Sequence, residues 1–147
     1  MSAQEPHRSV LRVGGADSDL DQLLSHHLDE FNRAATPGQS PARELTVQRH
    51  NDAGELLGGI SGWTWVDAGA MGMVWVRNNS RGVGVGGLLL GDFEAEAKDR
   101  GCTHLFVTSF TFQAPGFYER HGYQEIFRWD GVPTPEHADA HFRKDLT

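Results

Sequence analysis

Apolar residues recur at helical spacing near the start of the chain and at strand spacing through its middle. Leu20, Leu23, Leu24, Leu28 and Phe31 fall on one stripe of a helix predicted from about Asp19 to Ala35. Asp17 or Ser18 caps that helix and Pro37 stops it. Ahead of it, Val10 to Val13 reads as a short strand closed by Gly14-Gly15, and behind it Thr36 to Pro41 is a loop. Leu45 to Arg49 and Leu56 to Val66 are extended runs separated by Asn51-Asp52-Ala53-Gly54, which predicts a hairpin. A second turn around Asp67-Ala68-Gly69 leads to a strand from Met71 to Val76. Strict alternation puts Trp63 and Trp65 on one face of their strand, and Met71, Met73 and Trp75 on one face of the next.

Beyond a glycine-dense turn at residues 82–87, a helix runs to Arg100 with Gly101 as its C-cap, Lys98 and Arg100 complementing its dipole. A strand from Thr103 to Phe110, a short helix around Pro115 to His121, and strands from Tyr123 to Trp129 and about Ala140 to Leu146 complete the chain. Strands outnumber helices, and one strand–helix–strand crossover lies mid-chain. The class predicted is α/β (α+β mixed): a single twisted mixed sheet of about six or seven strands with helices on both faces. No internal repeat or long linker divides residues 1–147, so the chain is expected to be a single domain long enough to bury roughly two-thirds of its unfolded surface.

Charge narrows the partners. A net charge of −7 speaks against a broad nucleic-acid-binding surface, which needs clustered Lys and Arg. The start, Met1 to Arg8, has no apolar leader core, and no apolar run is long enough for a membrane span. The lone Cys102 cannot form an internal disulfide. A cytoplasmic protein with neither nucleic acid nor membrane as partner is expected.

The glycine turn is the strongest chemical signal. Gly82, Gly84, Gly86 and Gly87 precede Leu88 directly, so backbone N–H groups at a helix N-terminus are open to an anion, and a pyrophosphate fits. A P-loop is excluded because Leu88, not Lys, follows the last glycine. Gly82, Gly84 and Gly87 formally satisfy a dinucleotide fingerprint, but the next strand ends Val107-Thr108-Ser109-Phe110 with no carboxylate for a ribose. The histidines offer no metal site, since His26 and His27 are adjacent and no His-Glu-x-x-His or Cys/His cluster exists. Gly59-Ile60-Ser61-Gly62-Trp63 misses the nucleophile-elbow pattern at its last position.

With Arg81 counted as its first residue, the loop resembles the acetyl-CoA motif of the GNAT acetyltransferase superfamily at Arg81, Gly84 and Gly86. Downstream, Ala114-Pro115-Gly116-Phe117-Tyr118-Glu119-Arg120-His121-Gly122-Tyr123 is similar to that family's second conserved segment, in the right order and separation. The resemblance covers roughly residues 42 to 147, and the ending Pro133 to Leu146 is similar to that of a subgroup of small stand-alone bacterial members.

That resemblance implies acetyl-CoA as cosubstrate, held by Arg81, Gly82, Gly84, Val85, Gly86 and Gly87, with backbone N–H groups near Val74 and Val76 polarising the thioester carbonyl. It implies a primary amine of a small molecule as acceptor, attacking directly, with Tyr118 as the acid that protonates the departing thiolate. The phenol suits that task, being protonated at neutral pH. A homodimer is one assembly open to such a chain. Protein or peptide N-terminal acetylation, and a non-catalytic CoA-binding regulatory module, are the alternative functions.

Two positions depart from the family pattern. Thr111 stands where many members carry Asn, and residues 70 to 76 lack the Glu that many members use as general base. Glu30, Asp67, His137 and His141 are the remaining candidates, and no spacing singles one out; proton removal through water needs none of them. Phe110, Phe112 and Phe117 flank the conserved segment and suit an aromatic-walled acceptor site, which the acidic surface would bias toward cationic amines.

Overall fold

The computed structural model describes residues 8–81 and 84–147. The chain divides into two units, one ending at Pro37 and the other running from Gly38 to Thr147. In the first, α1 spans Ser18–Ala35, with the Asp17 carboxylate accepting from the Leu20 N–H at 3.0 Å. Asp19 and Asp21 sit at its positive end, and its apolar stripe is exposed. Val10 to Val13, expected as a strand, form none. A strand exists only through a paired neighbour, and these side chains stand exposed.

The second unit runs β1 (Arg43–His50), β2 (Leu56–Trp65), β3 (Ala68–Val76), a 3-10 turn (Asn78–Ser80), α2 (Val85–Asp99), β4 (His104–Phe110), α3 (Pro115–Arg120), β5 (Gln124–Asp130) and β6 (Ala138–Asp145). Its six strands lie in the order β1-β2-β3-β4-β6-β5. Only β3 and β4 are parallel, as the α2 crossover between them requires; the other neighbours are antiparallel. The second hairpin is tighter than expected. Trp65 pairs with Ala68, so Val66 and Asp67 alone make the turn and β3 begins three residues before Met71.

The core lies between the sheet and α2. Val85, Leu89, Leu90, Phe93 and Ala97 recur on one side of the helix and are buried with Leu45, Ile60, Met71, Leu105, Val107 and Phe142 from the sheet. Polar ties hold the helix in register. Arg49 makes a two-pronged bond to Asp92 at 2.8 and 2.9 Å. At the other end, Arg100 reaches Glu96, the Glu44 carbonyl and the Thr64 hydroxyl rather than merely facing the helix dipole. Both edge strands have little cover on their outward side; every residue of β5 is exposed.

One irregularity shapes the centre of the sheet. Gly62 pairs with Met71 and Ser61 with Met73, which leaves Gly72 as an extra, unpaired residue in β3. Gly62 is forced at this bulge, because a Cβ there would collide with the Ala70 carbonyl oxygen. The expected shared face of Met71, Met73 and Trp75 is therefore wrong. Met71 points into the α2 core, while Met73 and Trp75 stand on the opposite face at 71% and 49% exposure. A bulge consumes one residue without a partner and so reverses the alternation beyond it.

Candidate active site

The bulge also ends the parallel pairing. β3 and β4 are matched from Ala68↔His104 to Met71↔Val107 and no further. Bulges sharpen the local twist, which turns the second half of β3 away from β4 and opens a gap in the sheet. Backbone groups then face that gap. The Arg77 N–H donates to the Leu57 carbonyl of β2 at 2.8 Å, and N–H direction alternates along a strand, so Val76 and Val74 direct their N–H groups away from β2. The Val76 carbonyl lies on the same side and accepts from Arg81 Nε at 2.9 Å.

Beside the gap stands the N-terminus of α2. Gly84 is its N-cap at φ 88, a left-handed conformation with open space around it, which glycine adopts freely and a residue with a Cβ does not. The first helical hydrogen bond runs from the Leu88 N–H to the Gly84 carbonyl at 3.0 Å, so the N–H groups of Val85, Gly86 and Gly87 precede it. Gly86 and Gly87 serve packing as well as exposure. A Cβ at Gly86 would lie 3.0 Å from the Phe117 ring and 3.6 Å from Val76, and one at Gly87 2.9 Å from His121 Nε2. The end of β3, the start of α2 and the helix α3 thus converge. Val85 contributes its side chain to the core and only its backbone to this surface. Gly82 lies outside the described residues.

Tyr118 enters from α3. Its ring is edge-on to Phe117 at 5.3 Å and Tyr123 at 5.8 Å, and lies 5.9 Å from Phe142. Phe142 pairs with Val107, the last β4 residue still matched to β3, so Tyr118 stands over the point where the strands part. Burial pushes its phenol up to about 12. Its hydroxyl bonds to no described residue, and no fully enclosed side-chain oxygen or nitrogen among the described residues lacks a partner, so this oxygen is open to a small molecule. Tyr123 differs. Its hydroxyl donates to Glu94 at 2.9 Å, and Lys144 clamps the same carboxylate at 3.0 and 3.1 Å and the His121 carbonyl at 2.9 Å.

The expected pocket residues scatter. Phe117 is part of the convergence, whereas Phe112 stacks at 5.4 Å on Phe110, the last residue of β4, at the end where that strand has parted from β3. Thr111 accepts from the Ala138 N–H at 3.0 Å, so its hydroxyl serves the β4–β6 junction. Of the candidate bases, Glu30 pairs with His26 in the first unit, and the Asp67 carbonyl receives Thr103 and His104 at the opposite end of β3. The His137 ring packs edge-on to Phe112 at 4.9 Å. His141 alone stands in the sheet, with Nε2 3.1 Å from Asp139 Oδ2. The sequence predicts this strand only from about Ala140 and so does not single out Asp139; β6 begins at Ala138, which puts residues 139 and 141 on one face.

Residues 17–123 match the acetyltransferase (GNAT) family. The chain belongs to that family. Membership makes it an acyltransferase with acetyl-CoA as donor, and the cradle at Gly84 to Gly87 is chemically suited to that donor's pyrophosphate. An acetyltransferase of Agrobacterium fabrum is 30% identical over 116 residues, 76% of this chain and 80% of that protein. A blasticidin-S acetyltransferase of Streptomyces morookaense is 40% identical over 77 residues, 50% of this chain and 54% of that protein, so the match spans about half of that relative's length. Among solved structures, an acetyltransferase from Bacillus cereus superposes with a TM-score of 0.76 at 27% identity, over 92% of this chain and 98% of that one. No helix among the described residues is long and apolar enough to cross a membrane.

Proposed function

We propose that the protein transfers the acetyl group of acetyl-CoA to a primary amine of a cationic small molecule by direct attack, with Tyr118 protonating the leaving sulfur. The observation that carries this reading is the gap after Met71↔Val107, which has the α2 N-terminus beside it and Tyr118 above it. A thioester lying in that gap would meet the N–H groups of Val74 or Val76, which supply donors where negative charge develops on the carbonyl oxygen. The pyrophosphate would lie on the N–H groups of Val85, Gly86 and Gly87, with Arg81 beside the end of β3.

Tyr118 is a proton donor at every ordinary pH, since its phenol stays protonated up to about 12. The burial that raises the phenol also penalises a bare thiolate leaving at the same spot, so protonating the sulfur removes a buried charge. The acceptor class rests on three features. The sheet face opposite α2 carries exposed Trp63, Met73, Trp75, Phe127 and Trp129, the net charge is −7, and a relative is a blasticidin-S acetyltransferase. Aromatic faces and a negative field both favour organic cations.

The test is CoA thiol release from acetyl-CoA against a panel of free amines, polyamines, antibiotic amines and peptide N-termini. Turnover of cationic small amines is the expected result. Turnover of peptides alone would replace the acceptor class, and acetyl-CoA binding without turnover of any amine would overturn the enzyme reading.

A further inference from the structure

We propose that His141, held by Asp139, is the general base that accepts the proton of the incoming ammonium, in place of the carboxylate that β3 lacks. The inference rests on the acetyl-transfer reading above and adds the residue that prepares the nucleophile. Three features of position carry it.

The first is the face. Phe142 points into the α2 core, where Tyr118 lies against it, so its neighbour His141 points to the other face. The acid and the base thus lie on opposite sides of the sheet, as they must if a thioester lies in the sheet and an amine approaches from beyond it.

The second is register. His141 pairs with Thr108, and Thr108 is the first residue of β4 after the last one matched to β3. His141 therefore lies across a single strand, β4, from the opening through which the two faces communicate, with Thr108 between them. Met73 and Trp75 border that opening from the β3 side, on the same face as His141.

The third is the state of the ring. Nε2 lies 3.1 Å from Asp139 Oδ2, and a carboxylate only accepts, so Nε2 carries the proton and Nδ1 presents its lone pair. Nδ1 has no hydrogen-bond partner among the described residues, and Phe127 from β5 stands edge-on to the ring at 5.4 Å, fixing its plane. The side chain is 36% exposed, which leaves a path for an amine.

Other charges near the ring are accounted for. On β6, Asp139 is the partner, and Arg143, two residues along, is engaged by Asp145 at 2.9 Å. From β4, His104 is tied to the same Asp145 at 2.9 Å and Thr108 is neutral. From β5, Phe127 and Trp129 bring no charge.

The step balances. The ammonium gives one proton to His141 Nδ1, and the neutral amine forms the N–C bond at the thioester carbonyl. The C–S bond breaks, sulfur takes the Tyr118 proton, and the second amine proton leaves through solvent, from which the tyrosinate recovers its own. One proton is released to solvent when His141 resets. Asp139 is a positioning residue that also stabilises the imidazolium.

The test uses the whole chain, acetyl-CoA and two accepted amines of different basicity. In the unsubstituted protein the acidic limb of kcat/KM should fall at the same pH for both amines, because it reports the enzyme's base. His141→Gln should lower kcat/KM at least about 10²-fold with acetyl-CoA affinity unchanged. Asp139→Asn should lower kcat with acetyl-CoA affinity and the thermal midpoint unchanged, and Asp139→Glu should restore part of it; a purely structural role would lower the midpoint along with the rate. An acidic limb that follows each amine's own pKa overturns the proposal without any variant, as does a folded His141→Gln protein of unchanged activity. Failure of the unsubstituted chain to acetylate any amine instead overturns the function on which the proposal rests, and the base with it.

Discussion

Replacing the two tyrosines of the Ala114 to Tyr123 segment one at a time separates chemistry from structure. Tyr118 and Tyr123 are both buried, and their rings touch at 5.8 Å, yet their hydroxyls have opposite surroundings. The Tyr118 oxygen bonds to nothing within the described protein, whereas the Tyr123 hydroxyl donates to Glu94, which Lys144 also holds. Tyr118→Phe removes no internal hydrogen bond, so folding free energy should change by no more than about 0.5 kcal/mol. If Tyr118 delivers the proton to sulfur, the same change should lower kcat by about 10² or more, equivalent to at least about 2.7 kcal/mol in the barrier. Tyr123→Phe should do the reverse. It forfeits a bond to a charged group, about 1.5–3 kcal/mol, and leaves kcat within a few-fold. Urea unfolding at matched slope and initial rates of thiol release, measured on both variants, complete the comparison. A Tyr118→Phe protein with normal kcat, where chemistry limits turnover, refutes the acid assignment. One that loses both stability and activity shows that the hydroxyl has a structural partner after all.

Three further outcomes follow from the same geometry. Gly86→Val places a branched side chain against Phe117, where even a Cβ comes within 3.0 Å, and should weaken acetyl-CoA binding at least about tenfold by calorimetry on folded protein; unchanged affinity would remove the helix start from the donor site. Gly91→Ala, mid-helix in α2 with nothing within 4 Å of the new methyl, should raise stability by about 0.5–1 kcal/mol, read as a higher thermal midpoint. Tyr118 is protonated in both folded and unfolded chains below about pH 10, and between there and about 12 only the unfolded chain ionises. Its contribution to stability should therefore be constant up to pH 10 and decline above it, a decline that Tyr118→Phe should lessen in a pH series of unfolding curves.

What the sequence yields most readily is local backbone chemistry. The glycines at 84, 86 and 87 announce a helix start without side chains, and the Ala114 to Tyr123 segment places Tyr118 on a short helix; both elements lie where the sequence puts them. Facing is harder, because it depends on pairing. Nothing in Met71-Gly72-Met73 says that Gly72 is skipped; the skip is visible only once Ser61 and Gly62 are set opposite Met73 and Met71. The same holds for His141. The sequence leaves it one name among four; the start of β6 at Ala138 aligns Asp139 with it and sets Thr108 across from it. Val10 to Val13 erred in the opposite direction, since an apolar run has strand composition but becomes a strand only with a neighbour.

Gly72 contributes a length rather than a contact. Deleting it would leave Met73, Val74, Trp75 and Val76 on the faces they already occupy, because the alternation would then run unbroken from Met71. The core would keep its members, and β3 would shorten by one rise of about 3.3 Å and lose its extra twist. With the twist gone, β3 could continue alongside β4 past Val107, and the opening between the strands would close. A screen of single-residue deletions for folded protein would therefore score this position as tolerant, while a screen for turnover would score it as null. Few positions in a small enzyme let foldedness and catalysis be selected apart so cleanly, and here the separation comes from counting residues rather than from changing one.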